Sequence, residues 1–178
     1  MQGFDRQRWR QYLGIVFLIV LVILGKPIDT LFYPGAAIVL LGIAIRLWAS
    51  GHVRKNKLLA TTGPYAYVRH PLYVGNHLIA LGYCLSSSLW WSVFVWAAVA
   101  LAFYPQAIRD EDQRLAQRFP AEWNAWSTKT RALIPRLSPY ARSASGSWSF
   151  AQSMRQNGEP LIAALLVAGL FVLQQRLP

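Results

Sequence analysis

Long runs of apolar residues, separated by short polar loops, constrain the fold of this chain more than any other feature. They cover roughly residues 12–24, 36–50, 71–85, 89–104 and 161–173. Only 14% of the 178 residues are charged and 54% are hydrophobic, whereas a soluble domain carries about 25% charged residues. Because apolar runs of this kind suit the hydrocarbon core of a bilayer, the sequence predicts an all-α integral membrane protein with about five transmembrane helices.

Turn-forming residues suggest how these helices are connected. Tyr33-Pro34-Gly35 predicts a turn before the second run, and Ser86-Ser87-Ser88 predicts a tight turn that makes the third and fourth runs an antiparallel hairpin. Residues 109–126 are polar but keep a helical spacing of large apolar side chains. They predict a cytoplasmic amphipathic helix on the membrane surface between the fourth and fifth spans, with Pro120 breaking it or starting a second helix.

The chain therefore divides into three parts. Residues 1–136 form a membrane-embedded core, residues 137–158 contain a Ser- and Gly-rich linker, and residues 159–178 add a C-terminal transmembrane helix. The basic residues before the first run look like the start of a signal peptide. Because no small-x-small cleavage site follows promptly, we expect an uncleaved anchor.

The positive charge of the chain indicates its orientation rather than a nucleic-acid partner. The net charge is +11, and the basic residues flank the apolar runs. With a cytoplasmic N-terminus, segments 1–11, 46–70 and 105–158 hold every Lys and Arg except Lys26 and Arg176. This asymmetry is typical of cytoplasmic loops that contact anionic lipids. The sequence thus predicts a bacterial inner-membrane protein with membrane lipids, and no nucleic acid, as partners.

A polar, punctuated motif precedes the third run and is the first candidate site. Residues 63–75 read GPYAYVRHPLYVG, with Arg69 and His70 placed where a helix enters the membrane. Polar groups at that position usually mark a site, although an interfacial anchor also uses Tyr and Arg. Pro71 is a favourable first helical residue, so the helix start offers free N–H groups to an anion. Arg69 adds a guanidinium with bidentate geometry.

A second candidate is the run Arg109-Asp110-Glu111-Asp112, which holds three of the seven acids of the chain. A helix-start charge cluster would explain it as well. No metal site is predicted, because His52, His70 and His77 lack metal-ligand spacing and Cys84 is the one cysteine. No nucleophile elbow, P-loop or Rossmann glycine fingerprint is present.

Residues 58–75, LLATTGPYAYVRHPLYVG, resemble the signature of the isoprenylcysteine carboxyl methyltransferases and related phospholipid methyltransferases. The later residues Glu111-Asp112, Leu115, Phe119, Trp123, Trp126, Arg131 and Ile134-Pro135 resemble the acidic-aromatic C-terminal motif of that family. The resemblance covers about residues 36–136. It departs from the family pattern at Asp112, at Phe119-Pro120, and at Trp123 and Trp126, which stand in place of tyrosines.

The resemblance implies an integral-membrane enzyme that takes a methyl group from S-adenosylmethionine, held in a cytoplasmic pocket under the C-terminal segment. Carried over by motif position, the cofactor-binding residues would be Leu59, Ala60, Tyr65, His70, Pro71, Leu72, Tyr73 and Glu111. The candidates for orienting an anionic acceptor are Arg69, Arg109 and Arg131. The two tryptophans lack the tyrosine hydroxyls, a difference that bears on acceptor specificity.

We therefore expect a methyltransferase that acts on a lipophilic acceptor, first of all by carboxyl O-methylation of a prenylcysteine-like substrate. A carboxylate is ionised at neutral pH and needs no general base, which fits a chain without a catalytic triad. The alternatives are N-methylation of a phospholipid headgroup, a membrane reductase on a related scaffold, and a non-catalytic lipid-binding membrane module.

Overall fold

The computed structural model describes residues 6–53, 58–140 and 148–178, and all of their side chains except those of residues 6, 7 and 155–157. These residues form α-helices and one short 3-10 helix, and no strand occurs among them. The helices are α1 (Arg6–Leu24), α2 (Asp29–Ser50), the 3-10 helix (Gly63–Ala66), α3 (Pro71–Ser87), α4 (Ser92–Arg118), α5 (Pro120–Ser127), α6 (Phe150–Asn157) and α7 (Glu159–Gln174). The basic residues Arg54, Lys55 and Lys57 and the linker residues 141–147 lie outside the described residues.

The all-helical architecture expected from the apolar runs is confirmed, since α1, α2, α3, α4 and α7 each contain one run. In the described part of the chain, α2 and α4 are long and apolar enough to cross a membrane, and α7 is a shorter apolar helix. The number of spans and the cytoplasmic placement of the polar segments stay predictions.

The predicted turn at Tyr33-Pro34-Gly35 is wrong, because α2 runs through it without a break. Proline is tolerated in apolar membrane helices when neighbouring groups satisfy the freed backbone. The glycine serves helix packing instead of a turn: a Cβ atom on Gly35 would lie 2.6 Å from the backbone oxygen of Gly82 in α3. The small residue thus lets two helix backbones approach closely.

The fourth run and the polar segment after it are not separate helices. Helix α4 continues from Ser92 to Arg118 and includes Pro105. Helix α5 then begins at Pro120, as the expected effect of that proline requires. The predicted surface helix over 109–126 is therefore the end of α4 followed by a short second helix.

Part of the predicted linker is also helical, since α6 occupies Phe150–Asn157. The Ser149 side chain caps its first turn by accepting a hydrogen bond from the Gln152 backbone N–H. Gly158 ends it in the left-handed conformation with φ 61°, which glycine adopts without strain. At these two positions, the Ser and Gly residues that suggested a linker are helix caps.

The chain divides into two compact units. The first comprises Met1–Leu41, His77–Ala107 and Leu165–Pro178. Its core holds Leu21, Phe32, Val39, Tyr83 and Leu173, all buried. The Tyr83 hydroxyl donates a hydrogen bond to the Leu166 carbonyl, which satisfies a polar group inside this apolar packing.

The second unit comprises Gly42–Asn76 and Ile108–Ala164. It contains both candidate motifs that were found in the sequence. A Cβ atom on Gly75 would lie 2.9 Å from the Gly42 carbonyl oxygen, so the end of α2 and the start of α3 pack backbone against backbone. This contact fixes the N-terminal turn of α3, where the candidate site begins.

Candidate functional site

The residues before α3 are held by backbone hydrogen bonds to a later stretch of the chain. The Arg69 and His70 N–H groups donate to the carbonyls of Arg131 and Ala132, at 2.9 and 3.0 Å. Two further bonds, Arg136 N–H to Tyr67 O at 2.9 Å and Tyr140 N–H to Ala66 O at 2.8 Å, continue the pairing. The stretch 131–140 therefore runs alongside residues 66–70 and fixes the backbone of the first motif.

Asp112 joins the two motifs through its carboxylate. One oxygen lies 2.9 Å from Nε2 of His70 and the other accepts a hydrogen bond from Nη2 of Arg69 at 3.1 Å. The other terminal nitrogen of Arg69 donates to the carbonyls of Ser127 and Thr130, both at 3.1 Å. These charge-assisted bonds tie the start of α3 to α4 and to the end of α5.

Glu111, the neighbouring acid, contacts the same turn of α3 from a more open position. The Tyr73 hydroxyl donates to a Glu111 carboxylate oxygen at 2.7 Å, and Nδ1 of His70 lies 3.8 Å from that oxygen. The His70 and Tyr73 rings are stacked, with centroids 5.3 Å apart. The His70 side chain is 3% exposed and that of Glu111 is 38% exposed. Glu111 thus has carboxylate surface left for a ligand, whereas His70 is enclosed.

An apolar cluster lies in the same unit. Its buried members are Ala49, Tyr65 and Trp126. The Trp126 indole N–H donates to the Tyr65 carbonyl at 3.0 Å, so the end of α5 is fastened to the 3-10 helix. The partly buried members are Val53, Leu59, Ala60, Leu72, Trp123 and Tyr140. The cluster offers aromatic and aliphatic surface of the kind that lines small-molecule sites.

The Tyr65 phenol is held in its neutral form. Burial raises its pKa above the usual value, and the negative charges of Glu111 and Glu159 raise that pKa further, while Arg46 lowers it. Tyr65 can therefore donate a hydrogen bond at neutral pH but cannot act as a base.

The structure brings most of the predicted cofactor residues into two groups. Leu59, Ala60, Tyr65 and Leu72 belong to the apolar cluster, while His70, Tyr73 and Glu111 belong to the polar cluster. Pro71 is buried as the first residue of α3. Their roles in cofactor binding stay predictions.

The three predicted acceptor-orienting arginines differ from one another. Arg69 is engaged with Asp112 and with two carbonyls, and its guanidinium lies 5.6 Å from the Trp123 ring centroid. Arg109 and Arg131 are exposed. Only the backbone oxygen of Arg131 takes part in the contacts described above.

Sequence reasoning missed two parts of this site. Asp112 belonged to the second candidate run and to the acidic motif of the resemblance, but no role of its own in the site was predicted for it. The second part is an ion pair of Arg46 with Glu159, 2.6 Å long. An arginine near the end of an apolar helix indicates a partner, but no sequence pattern identifies Glu159 as that partner.

Part of the chain matches a known protein family. Residues 36–117 match the profile of the isoprenylcysteine carboxyl methyltransferase (ICMT) family. Over this segment, the chain is similar to the ICMT family. The matched segment includes the Arg-His-Pro motif and both acids of the polar cluster, but not α5, α6 or α7.

Three curated relatives were found. The cobalt-zinc-cadmium resistance protein CzcN of Cupriavidus metallidurans is 44% identical over 110 residues, which are 57% of this chain and 49% of the relative. The nickel-cobalt-cadmium resistance protein NccN of Alcaligenes xylosoxydans xylosoxydans is 36% identical over 73% of this chain and 64% of the relative. The protein-S-isoprenylcysteine O-methyltransferase of Schizosaccharomyces pombe is 35% identical over 47% of this chain and 35% of the relative. The chain thus matches less than two thirds of the length of each relative, and no solved structure matches it.

Proposed function

We propose that this protein is an S-adenosylmethionine-dependent methyltransferase that acts on a lipophilic acceptor, first of all by carboxyl O-methylation of a prenylcysteine-like substrate. The observation that carries the proposal is the cluster of His70, Tyr73 and Glu111 at the first turn of α3. It lies within the segment that matches the ICMT family. We extend the proposal to five membrane spans in a bacterial inner membrane, with the site on the cytoplasmic side.

The residues present fit the cofactor. Glu111 has an open carboxylate that can accept from an ammonium group, and the apolar cluster around Tyr65 can pack against an adenine ring. Within the described residues, Nε of Arg69 and Oγ1 of Thr130 are buried without a partner, so two donors are left over for ligand oxygens. S-adenosylmethionine would supply an electrophilic methyl group on its sulfonium.

The protein then has to hold the cofactor and the acceptor, orient them for the transfer, and exclude water from the site. Asp112 and Arg69 fix the turn that carries His70 and Tyr73, which keeps the site pre-organised. Tyr65 remains protonated and can donate a hydrogen bond. A carboxylate acceptor needs no deprotonation, so a guanidinium that positions it is sufficient.

Transfer of a radioactive methyl group into a lipid extract tests the reaction and the class of acceptor. We expect label that is lost on mild base treatment, because methyl esters hydrolyse under those conditions and N-methyl groups do not. Label that resists base would show that the acceptor is an amine and not a carboxylate, as in phospholipid N-methylation. No transfer to any lipid, together with no binding of S-adenosylhomocysteine, would leave a non-catalytic membrane module.

Calorimetric binding of S-adenosylhomocysteine tests the site itself. We expect His70→Ala and Glu111→Ala to weaken binding about tenfold or more, since each removes a group of the polar cluster. Glu122→Ala is the matched control, because Glu122 is an exposed acid on α5. Equal affinity of all these variants and the wild type would reject the assignment of the cofactor to this cluster.

The names of the two bacterial relatives suggest a biological setting for the same activity. Both are named for resistance to divalent metals, including cobalt and cadmium. We propose that methylation by this protein contributes to growth in the presence of such metals. Expression in a metal-sensitive bacterial strain should raise cadmium and cobalt tolerance for the wild type but not for Glu111→Ala. Equal tolerance with the wild type and with Glu111→Ala would show that the resistance does not depend on methyl transfer.

A further inference from the structure

Arg46 is a charged residue near the end of the apolar helix α2, where an arginine can snorkel or serve a site. Its side chain passes directly over Gly75 of the Arg-His-Pro motif: a Cβ atom on Gly75 would lie 2.5 Å from the Cγ atom of Arg46. The Arg46 side chain is 15% exposed. Arg46 therefore reaches from α2 across the start of α3, within the unit that contains the candidate site.

Two side chains hold the Arg46 guanidinium from different sides. Glu159 accepts from Nε at 3.0 Å and from Nη2 at 2.6 Å, a bidentate pair, and Nη1 donates to the side-chain oxygen of Asn76. A guanidinium has five N–H groups, and these three bonds use three of them. Among the described residues, no acceptor takes the other two, one on each terminal nitrogen. These two groups can bind a carboxylate.

Glu159 is brought to Arg46 by the segment Trp148–Glu159, which we call the C-terminal arm. The arm lies on the end of α2: the Trp148 indole N–H donates to the Leu47 carbonyl at 3.0 Å, and the Ser50 and Ser153 hydroxyls are 2.6 Å apart. Both serines are fully buried. The arm lies outside the segment that matches the ICMT family, so Glu159 is a feature of this chain beyond that match.

A purely structural role does not explain this arrangement well. A buried ion pair loses much of its Coulomb energy to desolvation, and apolar residues of similar size often stabilise a fold as much or more. The pair also lies against the part of α3 that directly follows Tyr73 of the polar cluster, because Arg46 packs on Gly75 and donates to Asn76. A cation that is fixed, shielded from water and beside the candidate cofactor site suits the orientation of an anionic substrate.

We propose that Arg46 binds the carboxylate of the methyl acceptor, and that Glu159 is the positioning residue that holds Arg46 for this task. This inference rests on the proposed function and names the acceptor-binding cation. Arg69 is engaged with Asp112 and two carbonyls. Arg109 and Arg131 are exposed, where solvent screens their charge.

Acceptor affinity in variants of the full-length protein tests the proposal. The probe is N-acetyl-S-farnesyl-cysteine, and its Kd is measured by calorimetry in detergent with S-adenosylhomocysteine present. Arg46→Lys keeps the charge but loses the planar fork, so we expect the Kd and KM of the acceptor to rise about tenfold or more. The affinity for S-adenosylhomocysteine should stay within about twofold, since the donor groups lie elsewhere.

The dependence of Glu159 on Arg46 is tested by a double variant. Glu159→Gln should raise the acceptor Kd. The double variant, Arg46→Lys with Glu159→Gln, should bind the acceptor no more weakly than Arg46→Lys alone, because Glu159 acts through Arg46. Glu122→Gln is the matched control: it makes the same change at an exposed acid on α5 and should leave the acceptor Kd unchanged. If Glu159→Gln does not fold, Glu159→Asp, which draws the carboxylate back, replaces it with the same expected direction.

Several results would overturn the proposal. They are an unchanged acceptor Kd in Arg46→Lys, an equal loss in Glu122→Gln and Glu159→Gln, additive losses in the double variant, or no acceptor binding by the wild type. Failure of the proposed function would look different. A wild-type protein that binds the probe but transfers no methyl group to it would reject the carboxyl methylation, while the Kd values would still decide the role of Arg46.

Discussion

The adjacent acids Glu111 and Asp112 offer a sharp prediction, because the structure gives them different tasks. Asp112 holds Arg69 and His70 at 3.1 and 2.9 Å, with its side chain 22% exposed. Glu111 accepts one hydrogen bond from Tyr73 and keeps 38% of its side chain exposed. We expect Asp112→Asn to weaken the fold and Glu111→Gln to weaken binding of S-adenosylhomocysteine.

The magnitudes follow from the contacts of each acid. Asp112→Asn loses the charge in two charge-assisted bonds, at about 1.5 kcal/mol each, so the protein loses about 3 kcal/mol of stability. At about 2–4 °C per kcal/mol for a chain of this length, the melting temperature should fall by about 6–12 °C. Glu111→Gln removes one charge-assisted bond to a ligand ammonium at a partly exposed position. Because the position is partly exposed, we take the low end of the range for a hydrogen bond to a charged group, about 1.5 kcal/mol, which corresponds to about a tenfold rise in the Kd of S-adenosylhomocysteine.

Differential scanning fluorimetry in detergent measures the first effect, and calorimetric titration with S-adenosylhomocysteine measures the second. Glu111→Gln should melt within about 2 °C of the wild type, because the Gln oxygen can still accept from Tyr73. The reasoning is refuted if Asp112→Asn melts like the wild type, or if Glu111→Gln destabilises the protein as much as Asp112→Asn does. An unchanged Kd in Glu111→Gln would remove that residue from the donor site.

Three further predictions test the frame of the site. Trp126→Phe should cost about 1–2 kcal/mol, because the buried Tyr65 carbonyl loses its 3.0 Å donor; chemical denaturation measures this, and an unchanged midpoint contradicts it. Gly75→Ala should abolish folded expression, since the new Cβ would lie 2.9 Å from the Gly42 carbonyl; a well-folded variant by size-exclusion chromatography contradicts it. Burial lowers the pKa of His52, so its contribution to stability is present above about pH 6.5 and is lost as the pH falls below it. His52→Gln should therefore flatten the acid limb of a melting-temperature profile, and a parallel profile contradicts this.

The helical fold could be predicted because each apolar run is long, and long runs identify helices well. Two of the differences between prediction and structure came from residues with more than one use. Gly35 resembles a turn residue, but it serves a close helix contact with Gly82. Gly158 resembles part of a flexible linker, but it ends α6 in the left-handed conformation. The partner that decides the use of Gly35 lies far along the chain, whereas Gly158 bonds to carbonyls of the helix that it ends.

The candidate site shows the same limit. The spacing of His70 and Tyr73 on one helix predicts that they lie together, and the resemblance adds Glu111. Local sequence says nothing about which of two adjacent acids faces inward, and here it is Asp112 that ties His70 to Arg69. The pairing of residues 131–140 with 66–70 uses backbone groups, which carry no side-chain pattern.

The tryptophans that replace the tyrosines of the family pattern also change meaning once their contacts are known. From the sequence, the loss of two hydroxyls bore on acceptor specificity. In the structure, Trp126 is 1% exposed and donates its indole N–H to the Tyr65 carbonyl, while Trp123 faces the Arg69 guanidinium. Both rings therefore hold the first motif in place.

An indole supplies a donor and a broad apolar face, so it can hold a neighbouring segment without the tyrosine hydroxyl. If the two tryptophans hold the first motif in place, we expect the choice of acceptor to depend on other residues. Arg46 and Glu159 are such residues, because they contact each other and Asn76. Glu159 comes from α7, after the segment that matches the ICMT family. Under the proposed function, we therefore expect relatives that share the matched segment but lack this glutamate to select a different acceptor.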